Sequence, residues 1–175
     1  IKKIVRGTNI IILSDEVYNT QIFDGMEHES LAKEPSLYDR TIIVNSLGKT
    51  FNANGWRLGY ILAAKHLSSE FRKILQFSQM GSNTPLQHAF AEYLQNFNDY
   101  TEITRQYEMK RNFFYDLLKD SKYALKKTKG TLFQCINFSN VTDENDFEFA
   151  SRLIRDYKVA AIPLSYFYKG KTDNK

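Results

Sequence analysis

Asn45-Ser46-Leu47-Gly48-Lys49-Thr50-Phe51, running on through Asn54-Gly55-Trp56-Arg57-Leu58-Gly59-Tyr60, is the stretch whose reading decides the fold. An apolar, β-branched run, Thr41-Ile42-Ile43-Val44-Asn45, feeds it and reads as a buried strand. The strand gives way to small residues, Ser46 and Gly48, with one amine among them, Lys49. Arg57 follows between Gly55 and Gly59, and a second apolar run, Tyr60-Ile61-Leu62-Ala63, begins at once. A Lys packed among apolar strands is costly unless it is paired, modified or deprotonated.

A lysine whose pKa falls on burial is suited to bonding carbonyl carbon. Arg57 cannot serve as a base, but its fork matches a phosphate. The glycines beside it let backbone N–H groups approach an anion. One ligand with an aldehyde at one end and a phosphate at the other fits both groups, and pyridoxal phosphate is such a ligand. Each residue alone has an ordinary reading: Lys49 as a loop residue, Arg57 as an ion-pair partner, Asp15 as a turn residue, Tyr18 as core. Their order and combination carry the inference.

Ser46-x-x-Lys49 with Gly55-x-Arg57-x-Gly59-Tyr60, and upstream Ser14-Asp15-Glu16-Val17-Tyr18, resembles the two cofactor motifs of the class I and II aminotransferases. These are pyridoxal-phosphate enzymes of fold type I, and the chain is most similar to their kynurenine and methionine branch. The resemblance runs from Asn9 to about Phe167. It implies an α/β fold: part of a large cofactor domain with a mixed, largely parallel sheet, then a small α+β domain. It also implies roles. Asp15 would pair with the protonated ring nitrogen and Tyr18 would hydrogen-bond the ring's phenolic oxygen. Lys49 would be the catalytic amine and covalent anchor, and Ser46 and Arg57 would hold the phosphate. The implied activity is ping-pong transfer of an amino group between an α-amino acid, aromatic or sulfur-containing, and a 2-oxo acid. A carbon–sulfur β-lyase uses the same residues, and release of pyruvate and ammonia would mark it. A third possibility is a folded fragment that does no chemistry.

Ile1 to Gly7 reads as the last turn of a helix stopped by glycine. Asn9 to Ser14 reads as a buried strand of parallel type, with Asp15 at its carboxyl end, where α/β sheets bind ligands. Ser30 is expected to cap a short helix ended by Pro35. Helical spacing marks 66–79. A further helix starts at Pro85 with Thr84 as its cap. The charged, amphipathic stretch 99–120 reads as a linking helix between domains at 1–98 and 121–175. In the last part, 123–126, 130–138 and 159–162 read as strands, and Asp143-Glu144-Asn145-Asp146 opens a helix with acids at its positive end. The family's carboxylate-gripping Arg, its Asn near the ring oxygen and its glycine-rich phosphate turn are not in this chain, which therefore reads as part of an aminotransferase. In the related enzymes the turn matching Met80–Asn83 lies near the subunit boundary, so a homodimer is expected.

The balance of 24 basic and 20 acidic residues is spread along the chain, so nucleic acid is not an expected partner. A single Cys, Cys135, excludes an internal disulfide framework and suits a reducing, cytoplasmic setting. No apolar run reaches spanning length, so no membrane association is expected. No metal-ligand cluster is evident. His28, His66 and His88 lie far apart and read as surface or cap residues.

Overall fold

The structure, a computed structural model, describes residues 1–97 and 99–170. Asn98 and residues 171–175, which the expected domain ranges include, lie outside the described residues. The chain divides into two compact units. The first is Ile1–Glu108 with Lys129–Leu132, and the second is Met109–Thr128 with the residues from Phe133 on.

In the first unit a short helix α1 (Lys2–Val5) leads through Gly7, at φ +69, to strand β1 (Ile12–Asp15). Strand β2 (Thr41–Ser46) runs parallel to β1, and β3 (Gly59–Ala63) runs antiparallel to β2. The order is β1-β2-β3, so the sheet is mixed and β2 is central. Registers Asp15↔Val44 and Ser46↔Gly59 fix the carboxyl end of the sheet. β2 alternates buried and half-buried residues along its whole length, as a central strand should. The strand expected from Asn9 starts only at Ile12, and Leu13 is 70% exposed. Among the described residues no strand pairs with the outer edge of β1.

Helix α2 (Leu47–Thr50) turns directly off β2. Leu47 N–H donates to Leu58 O at 3.1 Å and Phe51 N–H to Leu47 O at 2.9 Å, closing a compact loop between β2 and β3. Phe51 sits among four rings: Phe90, Tyr93, Phe97 and Tyr100, at centroid distances of 5.5, 5.7, 5.1 and 5.6 Å. The tilted and edge-on geometry of these contacts suits aromatic quadrupoles. They come from helix α4 (Thr84–Gln95) and the segment after it, preceded by helix α3 (Lys65–Ser78). The cap of α4 is Asn83, whose Oδ1 accepts from Leu86 N–H at 3.1 Å, and not Thr84; Pro85 does sit in the first turn. Both residues are competent caps by composition, and the position of the first turn decides between them. Ser30 caps a 3-10 turn, Leu31–Lys33, and Pro35 opens a second one, Pro35–Arg40, rather than only ending the first.

Helix α5 spans Thr101–Leu118. In the second unit, helix α6 (Asp146–Arg152) has a full capping box between Asn145 and Glu148. The strands expected at 123–126, 130–138 and 159–162 do not form among the described residues. Only isolated bridges occur there, Ala124↔Asn137 and Ile22↔Gly130. Phe133, Val159 and Ile162 are exposed while Phe138 is buried, and these segments have β composition without a continuous ladder among the described residues.

At Gly59 a Cβ would stand 2.6 Å from Asn45 O, inside the β2–β3 ladder. Gly59→Ala is expected to cost about 1–3 kcal/mol in urea unfolding, because a backbone oxygen held in a ladder cannot yield. A cost within error of zero would show that the two strands are held less closely than this.

Candidate cofactor site

β1 and β2 are adjacent and parallel, so their carboxyl ends lie side by side and carry Asp15 and the Ser46–Lys49 turn to one edge. Lys49 is half-buried in α2, its Nζ 5.9 Å from the centre of the Tyr18 ring. That placement is more open than the costly apolar setting expected of it. Its backbone is tied down: Gln21, wholly buried, donates from Nε2 to Lys49 O at 3.0 Å. Thr50 Oγ1 donates to Ser46 O at 3.2 Å. Gly48 allows the turn, since a Cβ there would meet Asn54 Cα at 3.0 Å and Ala53 O at 3.1 Å.

Asp15 is exposed at the end of β1, and its Oδ1 accepts from Val17 N–H at 3.3 Å. Tyr18 is half-buried. Burial, and then the negative charge of Asp15, push its phenol above the ordinary value of 10.0. A phenol is protonated at neutral pH in any case and can donate. Ser46 precedes α2 without capping it, which leaves its hydroxyl available. Arg57 adopts a left-handed conformation at φ +54 and is exposed. Among the described residues its guanidinium donates only to Asn54 O, at 3.1 Å, so other N–H groups remain for an anion.

These groups fit pyridoxal phosphate in kind: an amine for its aldehyde, a carboxylate for a ring cation, a phenol donor for its phenolic oxygen, and a hydroxyl and guanidinium for its phosphate. Lys49 Nζ lies near the Tyr18 ring, and the charge of Asp15 acts on the Tyr18 phenol. Ser46 shares the sheet edge through its register with Gly59, and Arg57 follows from the β2–β3 loop. Sequence reading missed Gln21, whose contact spans 28 positions, and gave His28 a structural role without a partner. His28 is half-buried against the carboxylate of Glu16. Among the described residues no cluster of three His, Cys, Asp or Glu side chains could hold a metal ion, and no helix is long and apolar enough to cross a membrane.

Comparison with known proteins places the chain in a family. The profile of the family "Aminotransferase class I and II" matches residues 1–174. The methionine aminotransferase of Escherichia coli is 35% identical over 164 residues, which is 93% of this chain and 42% of that protein. Kynurenine--oxoglutarate transaminase 3 of Bos taurus is 28% identical, covering 94% of this chain and 40% of that protein. A crystal structure of an E. coli protein identified as a methionine aminotransferase superposes with a TM-score of 0.90 at 34% identity, over 95% of this chain and 44% of that one. The chain thus belongs to the class I and II aminotransferases, pyridoxal-phosphate-dependent enzymes of fold type I. It spans about two fifths of the length of the relatives it matches.

In a spectrophotometric titration, the Tyr18 signal (wild type minus Tyr18→Phe) is expected to develop above pH 10.0. Because Asp15 disfavours the phenolate, Asp15→Asn should lower that midpoint. A midpoint below 10.0 in the wild type, or a rise in Asp15→Asn, would contradict the arrangement.

Proposed function

We propose that this chain is the lysine-bearing part of an aminotransferase that exchanges an amino group between an α-amino acid and a 2-oxo acid by a ping-pong route. The observation that carries the reading is the placement of Lys49 Nζ 5.9 Å from the Tyr18 ring, with Asp15 beside Tyr18, at the carboxyl ends of two parallel strands. Pyridoxal phosphate, when bound, supplies the aldehyde and an electron-accepting ring. The protein's own contributions follow from residue chemistry. Lys49 Nζ, as a neutral amine, is the group to take a proton from the substrate's α-carbon and to return one. Asp15 offers the charge that keeps a ring nitrogen protonated, and Tyr18 offers a neutral O–H. Arg57 and Ser46 offer donors that orient a phosphate.

The names of the methionine and kynurenine relatives support an aromatic or sulfur-containing amino acid as substrate. Three further assignments belong to the same reading. The first is a division into 1–98, a linking helix at 99–120 and a small domain at 121–175. The second is homodimeric assembly, supported by the exposed apolar side chains Ile74, Phe77 and Met80 on and just after α3, the last two 87% and 92% exposed. The third is a cytoplasmic setting, consistent with Cys135 as an exposed, free thiol.

Reduction with borohydride after adding pyridoxal phosphate, followed by peptide mapping, tests the proposal. Modification is expected at Lys49 and not at the exposed lysines, and Lys49→Ala should abolish it. In an assembled enzyme the same substitution should remove most of the rate, since such groups act as a unit. Labelling scattered over surface lysines would overturn the assignment.

A further inference from the structure

Glu16 stands in the chain between Asp15 and Tyr18, the two residues assigned to the cofactor ring, and is buried where Asp15 is exposed. It is only 6% exposed. Its Oε1 accepts from Ser14 Oγ at 3.0 Å and from Leu31 N–H at 3.1 Å. Its Oε2 lies 2.9 Å from His28 Nε2. An ionised carboxylate only accepts, so Nε2 is the donor. Burial works to raise the carboxyl's pKa, but hydrogen bonds from Ser30, His28, Leu31 and Ser14 outweigh it and hold the group below its ordinary value of 4.5. The buried charge is thus compensated by donors from three separate segments: the strand, the loop after it and the first 3-10 turn.

The contacts continue toward Lys49. Glu16 N–H donates to Val44 O at 2.9 Å and extends the β1–β2 pairing by one step. Asn19 N–H donates to Glu16 O, and Gln21 N–H to Tyr18 O, each at 3.0 Å. Gln21 then holds the carbonyl of Lys49. One backbone turn therefore links the His28–Glu16 pair to Tyr18 and, through Gln21, to the catalytic lysine.

We propose that Glu16 and His28 form a clamp of positioning residues, one that touches no ligand and fixes the turn presenting Asp15 and Tyr18 to the cofactor. The inference rests on the cofactor assignment above for its functional meaning, and on the clamp's own geometry for its structural content.

Amide hydrogen exchange on the 175-residue chain tests it, with wild type, Glu16→Ala, His28→Ala and His28→Gln. Val17, Asn19 and Gln21 report the turn; Glu148, in the α6 capping box, reports the rest of the fold. Both Ala variants should speed exchange at the three turn amides about tenfold or more while Glu148 is unchanged. His28→Gln keeps an N–H donor of similar reach and should restore protection. Capture of pyridoxal phosphate at Lys49 on reduction should fall and recover in the same order. Turn amides unaffected by His28→Ala, or loosened equally by His28→Gln, would overturn the clamp. Should Glu16→Ala also loosen Glu148, the His28 pair decides alone. If wild type shows no capture at Lys49, the cofactor assignment fails, and the exchange rates still decide whether the clamp orders the turn.

Discussion

Strand β2 is the one strand in the described sheet that is paired on both edges, and the site depends on that. Parallel pairing with β1 brings two carboxyl ends to the same edge, so Asp15 and Tyr18 meet the turn that starts at Ser46. Antiparallel pairing with β3 brings the chain back beside Ser46 at Gly59, so Arg57, two residues earlier, enters the same neighbourhood. The return is tight, and only glycine at 59 leaves room for the carbonyl of Asn45. Behind the turn, the rings around Phe51 give α2 a packed surface to rest on. Lys49 is therefore positioned by backbone pairing and aromatic packing, while its amine stays half-open.

Much of this was readable in the sequence, because it is local. The β-branched run at 41–45, the small residues of the turn and the apolar run at 60–63 each state their structure within a few positions. The periodicity of 66–79 likewise marked α3. What escaped is what depends on distant partners. Gln21 and Lys49 are 28 positions apart, and His28 and Glu16 twelve; both spacings are too long for local periodicity to reveal. A lone histidine in a polar loop carries no sign that a buried carboxylate waits for it. The later part of the chain shows the converse: 130–138 and 159–162 have strand composition, but a strand also needs a continuous neighbour to take its backbone hydrogen bonds.

Family membership and site chemistry reach the same assignment by different routes. The match covers residues 1–174 and the structural likeness is close, so the fold is that of the class I and II aminotransferases. The side chains add what a family label does not: a half-buried phenol whose ionisation burial and a neighbouring carboxylate disfavour, a serine hydroxyl not used as a cap, and a guanidinium with donors to spare among the described residues. Each is a property of this chain's own residues.

The central claim is that these residues form one binding surface for pyridoxal phosphate. A two-dimensional amide NMR map recorded while the cofactor is titrated tests it most directly. The account predicts saturable shifts centred on Asp15–Tyr18, Ser46–Lys49 and Arg57. Shifts centred elsewhere, such as the basic hollow lined by Lys2, Lys3, Arg6 and Arg40, or no saturable shifts at all, would contradict it.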